Sequence, residues 1–173
     1  MRTVTQVSFV LLLAIFTGVT PTFAQSAEPA TSLLAGAGAV NFDLSGTGTT
    51  PAFSVRVSQP LGANLVVEGS LLVAKPEQQF GDSTLIVTEA QLQYHWRLDR
   101  FSPYVGAGIG AARVSSDFAN TDWDPTISFA GGSRVHLTER IGLFGEFRLR
   151  GVEWDFVGTT TDVIGGIVVR LGR

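Results

Sequence analysis

Leu85-Ile86-Val87-Thr88-Glu89-Ala90-Gln91-Leu92-Gln93-Tyr94-His95-Trp96-Arg97-Leu98 decides how this chain folds. Taken at a period of two, the stretch separates into one face of Leu85, Val87, Glu89, Gln91, Gln93, His95 and Arg97 and another of Ile86, Thr88, Ala90, Leu92, Tyr94, Trp96 and Leu98. A helix would scatter these charges around its circumference, whereas alternate residues of a strand point to opposite faces. The segment is therefore a strand with one mostly polar and one mostly apolar face.

The same separation recurs along the chain. Phe53, Val55 and Val57 oppose Ser54, Arg56 and Ser58, and Leu65, Val67, Gly69, Leu71 and Val73 oppose Val66, Glu68, Ser70 and Leu72. Ile127, Phe129, Val135 and Leu137 oppose Thr126, Ser128, Arg134 and His136; Leu143, Phe147 and Leu149 oppose Glu146, Arg148 and Arg150. The last such segment sets Val163, Ile167, Val169 and Leu171 against Asp162 and Arg170. With Leu33 to Phe42 and Pro103 to Val114, the pattern predicts about eight strands. Short connectors (Gln59 to Asn64, Asp99 to Ser102, Thr138 to Arg140) alternate with longer ones rich in Gly, Asp, Thr and Pro (Asp43 to Pro51, Lys75 to Ser83, Ser116 to Pro125, Trp154 to Thr160). Alternation puts the two sets at opposite ends of an antiparallel up-and-down barrel.

Which solvent meets which face follows from compartment and composition. Arg2, the uncharged apolar run Val7 to Val19 and the small-residue site Thr22-Phe23-Ala24 predict a signal peptide over residues 1–24. Residues 25–32 then form a periplasmic leader, and 33–173 one barrel domain. There is no cysteine, so an exported chain of this size has neither disulfides nor thiolate metal sites to stabilise it. In a soluble barrel the apolar face would point inward; here a single lysine, Lys75, is too few for a water-exposed exterior. Tyr94, Trp96, Phe101, Tyr104, Trp123 and Trp154 fall near strand ends, where interfacial girdles sit. The expectation is an all-β, eight-stranded antiparallel transmembrane barrel of the bacterial outer membrane, with the long loops outside the cell. A formal charge of −3 leaves no basic footprint for nucleic acid.

Two stretches carry a family resemblance. Pro103-Tyr104-Val105-Gly106-Ala107-Gly108-Ile109-Gly110-Ala111-Ala112 is glycine-rich after a Pro-Tyr turn, and Gly132 to Arg148 runs strand, short polar turn, then a strand bearing Glu146 and Arg148. Together they resemble the small eight-stranded outer-membrane barrels, which include opacity-type proteins and the OmpA and OmpX barrels. The resemblance implies outer-membrane lipid and lipopolysaccharide as surroundings and the barrel assembly machinery as a partner in biogenesis. It does not imply one activity, since members are structural, adhesive or orphan. Such barrels usually end in an aromatic residue, and Val169-Arg170-Leu171-Gly172-Arg173 departs from that.

The candidate site is the set of charges on the inward face: Arg56, Glu68, Glu89, Arg97, Arg134, Glu146, Arg148, Arg150, Asp162 and Arg170. Eight strands leave a lumen that side chains fill, so these groups are expected to pair and plug it. The alternative is a narrow passive channel whose arginine surplus favours anions. No catalytic, cofactor or metal site is expected: His95 and His136 have no zinc spacing, and Gly106, Gly108 and Gly110 lack the helix a dinucleotide loop needs. His136, Thr138 and Glu146 faintly resemble the His, Ser and Glu of barrel enzymes that deacylate lipid A, with Thr in the nucleophile's place. The glycines are expected to make room for bulky groups such as Arg148 across the lumen. Arg113, on the outward parity, implies an outer-rim position, a bulge or reversed faces. Asp43, Glu77, Asp82, Asp117, Asp122, Asp124 and Asp155 make the long loops acidic, able to share divalent cations with lipopolysaccharide or simply be solvated.

Overall fold

The computed structural model describes residues 30–41, 48–75, 77–78, 81–116, 123–152 and 159–171. Eight long strands carry the architecture: β1 (Thr31–Asn41), β2 (Thr49–Pro60), β3 (Leu65–Ala74), β4 (Gly81–His95), β5 (Phe101–Ser116), β6 (Asp124–His136), β7 (Ile141–Val152) and β8 (Thr160–Leu171). A two-residue extension, Glu77–Gln78, pairs with the start of β4. Each strand is antiparallel to the next, and β8 returns to β1. Closure removes both free edges, which a lipid-exposed sheet requires because lipid offers its backbone no hydrogen-bond partner.

Register fixes the dimensions. Ser32 stands opposite Ser58, Ser58 opposite Glu68, and the circuit continues through Gln91, Gly108, Ser128, Arg150 and Thr160. The neighbour of Thr160, Thr161, faces Asn41 on β1. The circuit thus closes about ten residues from its start, or about 33 Å along strands whose eight spacings span about 38 Å, which corresponds to a tilt of about 40°. At that tilt, strands of 10 to 16 residues cross a hydrocarbon layer. The displacement is even, so every residue on the circuit faces inward and the two faces never exchange.

The burial pattern inverts that of a water-soluble barrel. Outward residues are apolar and exposed, with Phe53 at 66 %, Val163 at 60 % and Ile109 at 58 % accessibility, whereas inward Arg56, Glu68, Ser58 and Gln93 are at 3 % or less. An apolar belt continuous around eight strands is far larger than soluble monomers tolerate, and it matches the lipid-facing band of an outer-membrane barrel. The interior is not uniformly polar, however. Val40, Ala52, Leu72, Ala74, Leu85, Val87 and Ala112 form an apolar cluster toward the long-loop end, together with Leu34, Phe144, Ile164 and Val168 from β1, β7 and β8.

Several local expectations are corrected. The predicted strand ending at Leu98 stops at His95. The Trp96 amide donates to the Pro103 carbonyl, but Pro103 has no N–H to return, so the ladder breaks before the Leu98–Phe101 bridge. Asp99 has φ 50° in the two-residue hairpin loop, the positive value a type II′ turn needs at its first central position. Thr31 and Ser32, assigned to the leader, belong to β1, because a small polar side chain at Ser32 is at home inside. Tyr104, assigned to an aromatic girdle, points inward and is 2 % exposed, since its position shares the parity of the luminal glycines. Tyr94 and Phe101 are outward and exposed, with Tyr94 edge-on to Trp96 at 5.1 Å. The expected signal peptide, Trp154, and acidic loop residues Asp43, Asp117, Asp122 and Asp155 lie outside the described residues; Asp124 opens β6.

The glycine-rich strand makes room beside itself rather than across the lumen. A Cβ on Gly106 would press on Gln93 and Gln91 of β4, one on Gly108 would lie 2.8 Å from Ser128 Oγ, and one on Gly110 would meet the Thr88 carbonyl at 2.1 Å. Bare backbone there lets the long β4 side chains lie flat over β5. Arg113 resolves as an outer-rim residue: it pairs with Ile86 in an unbroken β4–β5 register, without bulge or face reversal, near the long-loop end.

Candidate functional site

Seven strands contribute to a polar assembly filling the lower and middle lumen. The β1 sequence Thr31–Asn41 carries no charge and cannot add one. Arg56 of β2 contacts Glu68 of β3 at 3.4 Å and Glu146 of β7 at 2.8 Å. Arg134 of β6 reaches Glu68 at 2.9 Å, Ser58 at 3.0 Å and the Gln93 side-chain oxygen at 3.1 Å. Arg148 also lies 3.7 Å from Glu68, which therefore has three arginines within ion-pair distance.

A second lobe lies nearer the long-loop end. Arg148 contacts Glu89 of β4 at 2.6 Å and Glu146 at 2.8 Å, and Arg150 forks onto two carboxylates at once. Its Nε and Nη2 donate to Glu89 at 3.0 and 2.9 Å, while Nη1 and Nη2 donate to Asp162 of β8 at 3.1 and 2.8 Å. The planar guanidinium suits such two-sided recognition, since its five donors are fixed in a fork. Glu146 joins the lobes: its Oε1 accepts from Arg56 and Arg148 and its Oε2 from the Tyr104 hydroxyl at 2.8 Å. Four arginines thus meet four carboxylates.

Packing reinforces the pairing. The Arg56 guanidinium lies 5.0 Å from the Phe144 ring centre and that of Arg134 lies 5.6 Å from the Tyr104 ring, while Tyr104 stacks on His95 at 4.8 Å. His95 Nε2 is hydrogen-bonded to the Gln93 side chain at 2.9 Å. Buried ion pairs gain little net stability against desolvation, but breaking one leaves an uncompensated charge in a site that cannot hydrate it freely. The network consequently ties together strands that the closed register already sets across the lumen from one another.

Of the ten charges predicted inside, the structure brings eight together and leaves two apart. Arg97 and Arg170 lie at the short-turn end, and among the described residues neither is ion-paired to a carboxylate. Arg170 is half-buried at the end of β8, and Arg97, two residues beyond the end of β4, is exposed rather than inside the lumen. Partial desolvation holds the Arg97 guanidinium below its usual pKa. Sequence parity could not separate these two from the rest, because it assigns a face and no depth. Gln91, Gln93 and Ser58 fall on the polar face in the sequence but outside the candidate site because they are uncharged, and Tyr104 falls in the girdle set; parity is the available signal for all four.

The residues that faintly suggested lipid deacylation are not brought together by hydrogen bonds. Glu146 is held by Arg56, Arg148 and Tyr104, while Thr138 Oγ1 accepts from the Arg140 and Ile141 amides and shapes a turn. Among the described residues no three His, Asp or Glu side chains are close enough to share a metal ion.

Comparisons agree with this architecture. The barrel of Neisserial surface protein A (NspA) superposes with a TM-score of 0.68 at 15% identity, covering 82% of this chain and 96% of that one. The N-terminal β-barrel domain of Pseudomonas aeruginosa OprF gives 0.55 at 15% identity over 83% and 100% of the two chains. Ail, the attachment invasion locus protein of Yersinia pestis, gives 0.53 at 16% identity over 82% and 97%. The outer membrane enzyme PagL shares the fold at 0.52 and 11% identity, over 81% of this chain and 99% of that one, so the architecture alone does not fix activity. No curated protein matches the chain. The model of the outer membrane protein beta-barrel domain matches residues 9–166, and the chain accordingly belongs to that outer-membrane barrel family.

Proposed function

We propose that this protein is an occluded outer-membrane barrel with a structural or surface-interaction role, its lumen plugged by side chains and its long loops meeting partners outside the cell. The observation that carries the reading is the arrangement of Arg150 between Glu89 and Asp162, continued through Arg148, Glu146 and Arg56 to Glu68. These groups bridge opposite walls of a lumen only about as wide as the side chains themselves. The apolar cluster toward the long loops adds a second barrier, because water and ions cross an apolar constriction poorly. Lipid and lipopolysaccharide are the partners of the outward belt in this reading, and the assembly machinery acts only during biogenesis.

Catalysis is disfavoured by the same geometry. An acid or base needs a substrate within reach, whereas the buried carboxylates here are each engaged by arginine. Single-channel recording of the purified barrel in planar bilayers tests the proposal. The expected result is a silent bilayer; reproducible conductance steps from the unmodified protein overturn it in favour of a narrow channel.

A further inference from the structure

Arg150 starts on β7 and reaches Glu89 on β4, so its side chain passes over the two strands between them, β5 and β6. Register shows what lies beneath. Ser128 of β6 stands between Arg150 and Gly108 of β5, with Gln91 on the far side of Gly108; one row on, Thr126 stands beside Gly110, and Gly110 beside Glu89. The wall under the arginine thus presents two hydroxyls and two bare glycines. Ser128 and Thr126 are 0 % exposed and Gln91 is 1 %, yet among the described residues Ser128 Oγ, Thr126 Oγ1 and Gln91 Nε2 have no hydrogen-bond partner. Gln91 Oε1 accepts from Gln93 Nε2 at 2.5 Å, which turns the other arm of the amide away from Gln93. Ser128 Oγ and Gln91 Cβ flank one glycine, 2.8 and 3.3 Å from the point where a Cβ of Gly108 would sit. Arg150 cannot serve these atoms, because all five of its N–H groups are engaged by Glu89, Asp162 and Thr160. Polar atoms left dry in such a place each carry a desolvation penalty.

We propose that this niche is a buried-water site, in which ordered water beneath the Arg150 bridge accepts from Gln91 Nε2 and hydrogen-bonds to Ser128 Oγ and Thr126 Oγ1. Water is the ligand that the chemistry selects. The three groups are neutral, the two hydroxyls both donate and accept, and a buried water takes two to four such partners. An ion would instead add an unmatched charge beside a network whose four arginines and four carboxylates already balance. Glycine at 108 and 110 keeps side chains out of the space the water needs, a second use of the bare strand besides seating Gln91 and Gln93. The inference rests on the occluded reading and deepens it: the plug is completed by water that connects to neither mouth.

The test compares the full refolded barrel with Thr126→Val and Ser128→Ala, each of which removes a hydroxyl and nearly keeps its shape. A buried hydroxyl bonded to water contributes to stability, whereas an unpartnered one detracts from it, so the two cases differ in sign. With water bound, each variant should lower the urea midpoint in lipid vesicles by about 0.5 M. An unchanged or raised midpoint in either variant overturns the proposal. A crystal structure of the unmodified barrel, at a resolution that shows ordered water, supplies the direct readout. It should place a water oxygen within hydrogen-bond distance of Gln91 Nε2 and Ser128 Oγ. A dry niche overturns this inference and leaves the occluded reading standing, whereas a continuous file of water from the niche to either mouth overturns both.

Discussion

Replacing Glu89 by glutamine tests whether the inner network acts as one unit. The substitution keeps shape but removes the charge that accepts from Arg148 at 2.6 Å and from Arg150 at 2.9 and 3.0 Å. Glu68, Glu146 and Asp162 would then face four buried arginines. Removing one partner of a buried pair costs about 3–5 kcal/mol, because the remaining charge stays desolvated. With a denaturant slope of about 2 kcal/mol per molar urea, the unfolding midpoint in lipid vesicles should fall by about 2 M. Tryptophan emission from Trp96, Trp123 and Trp154 reports the transition. Adding Arg148→Met removes the stranded cation and should recover part of the loss, since the two changes share an interaction. A fall below about 0.5 M for Glu89→Gln would be the size of a solvated surface pair, and it would refute the claim that these charges are locked together away from water.

Other perturbations address separate parts of the fold. Val55→Arg, on the exposed lipid-facing side of β2, should destabilise the vesicle-inserted barrel by about 2–4 kcal/mol, whereas a soluble barrel would tolerate it; vesicle unfolding curves distinguish the two. Gly110→Val places a side chain where the Thr88 carbonyl already lies 2.1 Å from an ideal Cβ, so β4 and β5 must separate locally; loss of the heat-modifiable folded band on electrophoresis is expected. Tyr104→Phe removes the hydroxyl that donates to Glu146 at 2.8 Å and should cost about 1.5–3 kcal/mol in the same urea titration. Truncating Arg148 and Arg150 together with Leu72 and Leu85 to alanine removes both the ionic and the apolar barrier and should produce conductance steps in bilayers that the unmodified protein lacks.

Legibility in the sequence followed periodicity. Faces alternate at a period of two, so a row such as Phe53, Val55 and Val57 against Ser54, Arg56 and Ser58 shows which residues share a wall, and the structure keeps those faces. Strand ends were harder because they depend on single hydrogen bonds, as at Trp96, where Pro103 withholds a donor. The role of Tyr104 was obscured by its type: a tyrosine near a strand end suits an interfacial girdle as well as a lumen, and only its even spacing from Gly106 and Gly108 distinguished them. Cross-lumen partners were not readable at all, because pairing Arg56 with Glu146 depends on register and closure around the whole circuit.

That dependence also explains why the inner charges are divided as they are. With an even stagger and about 40° of tilt, residues far apart in sequence reach the same depth, and depth decides whether a charge finds a partner. Arg148 and Arg150 sit well inside β7, where Glu89 and Asp162 from neighbouring walls converge on them. Arg170 lies one residue from the end of β8, where among the described residues no carboxylate is within ion-pair distance of it. Moving the surplus inward would leave buried cations without carboxylates, a cost of several kcal/mol each. Placing it at the mouth keeps it at the edge of solvent, where water can hydrate it without breaking the network above.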